Sequence, residues 1–337
     1  MVDAFTKRNH YNPCFWTACW NFEYFQALVE GRADSIRARE QDVFILNLHS
    51  GNIYRDRVKN VHFDKDLGVA EITPESMKDF CRRRYPSEYK SFCKSLENHP
   101  ETVCLDFEDI LSGVEGLAGY ESLMEAVTTS GIRSVMHKGF LTCHIIFQAM
   151  RSHEMMNSMP ETMHSIGIPK WEYFWILKNA WSNKFVLARA TAVLALSRWV
   201  LYVTDTHRYP LCDSPVMVCE NTLMVVLSPR LLLEININES SAEDDWTVRE
   251  GITASKFREF RRRSISNSFK EIIFHDRDEL DVWRNTQEFK ARSMDLGDST
   301  KGARLRAEAA SRVIWAINGF GRLPEDFEVW VRDVIDT

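Results

Sequence analysis

The sequence predicts an α+β fold: a mainly helical body around a small antiparallel β-sheet, with an additional N-terminal hairpin. Helical periods and β-rich runs are segregated along the chain rather than alternating, which argues against a doubly wound parallel sheet. Between Val135 and Met156, the residues Phe140, Leu141, Cys143, Ile145, Ile146, Phe147, Ala149 and Met150 cover almost every direction around a helix axis. A helix apolar all round is a buried one. From Trp199 to Ile237 the period shortens to β-rich runs separated by turn residues.

Taken in order, Asn12-Pro13 reads as a helix start, with Asn as the cap and Pro at the first helical position. The helix is expected to run to about Glu30, and its Phe15, Trp16, Trp20, Phe22 and Phe25 are too aromatic for an exposed face. Val43 to Leu48 and Ile53 to Val58 flank the turn residues His49 to Asn52, which predicts the hairpin. Helices are expected over Pro74 to Leu96, Leu105 to Val127, and Lys170 to Leu196. Short strands follow at Val200 to Thr204, Tyr209 to Cys212, Val216 to Cys219, Thr222 to Leu227 and Leu231 to Ile237. Asn238 to Asp245 is polar enough for a loop, and helices are expected at 250–268, 278–292, 302–318 and 325–335. This divides the chain into a domain over 1–237 and a helical extension over 238–337 packed on the same body.

The chain has 337 residues, 45% hydrophobic and 27% charged, which excludes long disorder and fibrous repeats. The net charge of −6 argues against a dedicated nucleic-acid coat, although a local basic patch is allowed. The Arg-rich runs Arg82 to Arg84 and Arg258 to Arg263 read as solvated helix faces, without interleaved aromatics to stack bases. Residues 1–10 carry no signal-like apolar run, and Ala192 to Val203 is broken by Arg198 and too short to span a bilayer. A cytoplasmic protein with no membrane partner is expected. The eight cysteines show no C-x-x-C pair and no zinc spacing, so most are expected to be buried free thiols.

No Walker loop, dinucleotide fingerprint, nucleophile elbow or zinc-protease motif is present. His144, Gln148 and Arg151, spaced i, i+4, i+7, form one polar stripe on the buried helix. A buried guanidinium needs a carboxylate, for which Glu115 and then Glu108 on the preceding helix are the candidates; otherwise the stripe lines a water-filled cleft.

The segment Arg8 to Phe15, containing His10-Tyr11-Asn12-Pro13, resembles the opening H-Y-V-P-x-F motif of an uncharacterised bacterial family, the HYVP-motif domain of unknown function. Gln148-Ala149-Met150-Arg151 is similar to its helical Q-x-x-R, Leu211 to Val216 to its T-S-D-x-P-V, and Leu227-Ser228-Pro229 to its P-L-S-P strand. Asn12 stands where the family usually has Val, and Cys212-Asp213-Ser214 where it has Ser-Asp-Asn. The resemblance spans about residues 7–235 and implies no established activity.

Two readings follow from these residues. In one, the chain is a hydrolase acting on a phosphodiester or nucleotide. His10, Asp213 and Glu115 exchange protons there, while Arg151, Gln148 and Tyr11 hold the substrate. Asp213, Glu115 and His10 could also hold a divalent ion, where oxygen-rich ligation suits Mg²⁺ or Mn²⁺ better than zinc. In the other, the same residues form a structural polar network inside a non-catalytic binding or interaction module. Convergence on an open pocket favours the first; mutual satisfaction favours the second.

Overall fold

The computed structural model describes residues 8–10, 12–65, 68–97, 101–106, 120–165, 167–182, 184–219, 221–242, 244–305 and 308. Its strands in chain order are β1 (Arg8–His10), β2 (Asp42–Asn47), β3 (Ile53–Arg57), β4 (Phe63–Lys65), β5 (Val69–Ile72), β6 (Val103–Asp106), β7 (Ser197–Val203), β8 (Leu211–Cys212), β9 (Val216–Cys219), β10 (Thr222–Ser228), β11 (Leu231–Ser240), β12 (Trp246–Glu250) and β13 (Glu271–Phe274). The helices are α1 (Cys14–Thr17), α2 (Phe22–Val29), α3 (Pro74–Arg84), α4 (Tyr89–Glu97), α5 (Tyr120–Thr129), α6 (Val135–Met150), α7 (Met159–Ser165), α8 (Lys170–Ser182), α9 (Lys184–Ala195), α10 (Ala254–Asn267), α11 (Arg277–Arg284) and α12 (Gln287–Gly297).

Helices and antiparallel strands are both present, as the segregated periods require. The five-stranded sheet has the order β12-β7-β11-β10-β9, antiparallel except where β12 runs parallel to β7. Its core strands read as near-continuous apolar runs, and Leu231, Leu232, Leu233 and Ile235 are fully buried. A second sheet has the order β3-β2-β13-β8, all antiparallel. The hairpin β2–β3 is thus the edge of a larger sheet rather than an addition to the body.

Position 237/238 falls inside β11, and the following hundred residues supply one strand to each large sheet. The expected loop over 238–245 begins as strand as far as Ser240, and the expected helical extension contains β12 and β13. Both were hidden because five- and four-residue strands carry too little alternation to be told from helix ends.

Several helices are shorter than their periodicity suggests. Pro86 cannot continue a helix and biases Tyr85 away from it, which separates α3 from α4. Asn21, whose Oδ1 accepts from Tyr24 N at 2.9 Å, caps a fresh start and divides the first helix into α1, a 3₁₀ turn and α2. Thr286 likewise caps α12 after α11. The helix expected from Leu105 meets β6 instead, and its centre, 107–119, lies outside the described residues, as do 311–337.

The aromatic N-terminal segment packs inward as expected. Trp16 and Trp20 are fully buried, and their indole N–H groups donate to Leu227 O at 2.9 Å and Tyr209 O at 2.7 Å. Each bond satisfies a polar handle that would otherwise oppose burial. No described helix is long and apolar enough to cross a membrane.

Candidate functional site

The predicted residues lie where β1, the start of α1, the C-terminal half of α6 and strand β8 approach each other. His10 ends the short strand β1, paired with Phe63 of β4, just before the helix start that Asn12-Pro13 suggests. Its Nδ1 lies 3.0 Å from Val61 O. A carbonyl only accepts, so Nδ1 carries the proton and Nε2 is the basic atom.

Asn12 does not cap α1, whose cap position is Pro13 without a side-chain hydrogen bond. Its amide nitrogen donates to His62 Nδ1 at 2.8 Å and to Cys212 O at 2.9 Å, and its Oδ1 accepts from Gln148 Nε2 at 2.8 Å. One fully buried carboxamide therefore ties together four distant segments, and the sequence alone points only to its capping chemistry.

His62 is fully buried and left-handed, with φ of 50°, an uncommon conformation for a residue other than glycine. Because Nδ1 accepts from Asn12, its proton resides on Nε2, which has no partner among the described residues. Burial pushes its pKa down to about 3, and the charges of Lys270 and His10 add to this, against the nearby Glu271 backbone, which raises it. The Glu271 carboxylate accepts from Tyr54 Oη at 3.0 Å and from His62 N at 3.4 Å. Nothing in the sequence around His62 or Glu271 marks either one.

Asp213 is fully buried. Its carboxylate accepts from three successive backbone N–H groups: Phe269 at 3.1 Å, Lys270 at 2.5 Å and Glu271 at 3.1 Å, and its own N–H donates to Glu271 O at 3.2 Å. This is a capping role, but for the start of β13 rather than for Asp213's own turn. All three N–H donors converge on Oδ2, while Oδ1 receives only a longer contact from Phe269 N at 3.2 Å.

The polar stripe of α6 is buried as its helix requires: His144, Gln148 and Arg151 are 4%, 2% and 7% exposed. The His144 ring packs edge-on against Trp16 at 5.4 Å, and burial, then the Arg151 charge, pushes its pKa down to about 4. The same guanidinium acts on Cys14, whose thiol pKa burial nonetheless raises. Glu108, Glu115 and Tyr11 lie outside the described residues, so the expected Arg151 carboxylate and the third member of the proposed metal set do too. Among the described residues no group of three or more His, Cys, Asp and Glu side chains is placed to hold a metal ion.

Gln148 and the backbone beside Asp213 are thus joined through Asn12, with His10 adjoining through its neighbours Val61 and His62. Two surface clefts, of about 760 and 610 Å³, lie elsewhere, along β9–β11 with α10 and beside the start of α10; neither is lined by His10, Gln148, Arg151 or Asp213. Cys14, Cys19, Cys81, Cys93, Cys104, Cys143 and Cys212 are free, and burial pushes the Cys212 thiol up to about 12, so it behaves as a small apolar side chain. Comparison with family models, curated proteins and solved structures returns no match to this chain.

Proposed function

We propose that the chain is a non-catalytic binding module in which His10, Asn12, Gln148 and Asp213 fix the fold, and ligand recognition takes place elsewhere. The observation that carries this reading is Asn12. Both of its amide hydrogens and its oxygen are engaged by His62, Cys212 and Gln148, and Asn12 is fully buried. A buried carboxamide saturated in this way specifies one arrangement of the chain segments that it joins, although the His62 Nε2 proton beside it has no partner among the described residues. Asp213, with three backbone donors, serves the same end. The segments that resemble the HYVP-motif family meet here, and a shared structural task accounts for their wide spacing.

The hydrolase reading draws its specific support from His10, whose Nδ1 proton is committed to Val61 O so that Nε2 is the basic atom. One experiment separates the two readings. His10→Ala and Asp213→Asn are made singly, and their thermal melting is compared with turnover of a panel of phosphodiesters and nucleotides. The module reading expects no turnover by the unaltered chain and a large loss of stability in Asp213→Asn. Turnover abolished by His10→Ala at unchanged melting temperature would establish the hydrolase instead.

A further inference from the structure

We propose that the larger cleft, about 760 Å³, binds a phosphorylated sugar or polyol. This rests on the reading of the chain as a binding module and names its ligand class. Ligand sites commonly fall between about 300 and 1,000 Å³, so the volume suits a sugar phosphate.

The walls come from three parts of the fold. At the open end of the β10–β11 ladder Thr222 lies opposite Asn236, and Asn238 follows as β11 continues. The C-terminal half of α10 supplies Arg262 and Arg263 from the facing side. Buried Arg292 of α12 closes the base, its guanidinium donating to Ser268 O at 3.0 Å and stacked over Phe269 at 4.3 Å.

The charge balance within this wall is positive. Glu239 is held by Arg198 at 2.6 Å and by the Asn236 amide at 2.5 Å. Arg263 is fixed by Glu259 at 2.5 Å and by the Thr222 hydroxyl at 3.0 Å. Arg262 is exposed and makes no ion pair among the described residues, which leaves its fork of donors for an anion. Carboxamides both donate and accept, which matches vicinal hydroxyls. No aromatic side chain is among the described residues lining the cleft, so a nucleobase finds no stacking partner among them, which favours a sugar phosphate over a nucleotide.

The test is calorimetric titration of the full chain with glucose 6-phosphate, trehalose 6-phosphate and fructose 1,6-bisphosphate, with glucose, inorganic phosphate and AMP as controls. At least one sugar phosphate is expected to saturate one site more tightly than every control. Arg262→Ala, at an exposed position, is expected to weaken it by about tenfold, the usual worth of a charge-assisted hydrogen bond. Asn238→Ala is expected to weaken it several-fold, with the melting temperature of both variants unchanged. Failure of all three sugar phosphates to bind, AMP binding as tightly, or indifference to both substitutions would overturn the proposal. Following product release in the same incubations keeps the two ideas apart: binding without turnover upholds both, whereas turnover abolished by His10→Ala ends the module reading and leaves the cleft standing.

Discussion

Gln148 Nε2 donates to Asn12 Oδ1 at 2.8 Å across 136 residues of intervening chain. With the Asn12 amide bonded in turn to His62 and Cys212, one side chain couples the N-terminus to the buried helix, to the residue before β4 and to β8 of the second sheet.

Asn12→Ala is therefore expected to destabilise the protein by about 3 kcal/mol, because it strands buried groups at His62, Gln148 and Cys212 at once. Equilibrium urea unfolding measures this. A double-mutant cycle with Gln148→Ala is expected to give a coupling of about 1 kcal/mol, and additivity would show that the bond contributes nothing.

Asp213→Asn replaces one acceptor oxygen by an NH₂ group facing backbone N–H donors, so it is expected to cost about 3 kcal/mol despite nearly identical shape. Amide exchange at Phe269, Lys270 and Glu271 is expected to accelerate more than elsewhere. Unchanged protection there would contradict the capping role.

The left-handed backbone at His62 predicts an order among substitutions: His62→Asn retains more stability than His62→Val, since Asn tolerates positive φ and a β-branched side chain does not. Thermal melts decide it, and equal losses would mean that the side-chain environment, not the backbone, governs the position.

Acid sensitivity follows from the histidines. Burial holds His62 and His207 down to about 3 and His144 to about 4, against an unperturbed 6.5, and the neighbouring His275 is lowered as well. The unfolded chain takes up these protons first. Their contribution to stability is thus full above pH 6.5 and is lost as pH falls from there towards 4 and 3. The pair His207–His275 has ring centroids 4.5 Å apart, so His207→Phe is expected to flatten part of that loss. A urea midpoint that stays constant from pH 7 to pH 4.5 would refute it.

Glu172 is fully buried while the side chains of its partners Arg83 and Arg84 are 42% and 53% exposed. Removing both arginines leaves a carboxylate uncompensated in the core, expected to cost about 3 kcal/mol or more. Glu172→Gln lets the arginines return to water and is expected to cost less. The two unfolding curves give the order directly.

What the sequence discloses here depends on whether a feature is local. The apolar pattern of α6 predicts burial on every side, and it holds for the C-terminal half, with Gln148 and the C-cap Arg151, whereas Val135, Met136 and Phe140 in the N-terminal half are exposed. The apolar runs at β9, β10 and the first half of β11 are similarly self-evident, being bounded by turn residues or polar stretches. Asn12 misleads because its local chemistry as a cap is as good as its long-range chemistry as a hub, and only the fold chooses between them. His62 is illegible since positive φ in a residue other than glycine leaves no trace in sequence. The basic run Arg82 to Arg84 reads as a bare charged face, yet Phe80, beside it, packs at 5.3 Å against Trp171 and 5.5 Å against Trp175, and Arg82 lies over Tyr89 at 5.1 Å. The two tryptophans come from nearly a hundred residues further on.

The position of β13 between β2 and β8 bears on the order in which the molecule can assemble during synthesis. A growing chain that has emerged only as far as Ser268 already contains β2, β3 and β8, but no strand to join them, and the Asp213 carboxylate still lacks its three donors. The second sheet is thus completed by a late, four-residue insertion. Until it arrives, the edge of β2 that carries Phe44, Ile45 and Leu46 is open to any other strand, including the same segment on a neighbouring nascent chain.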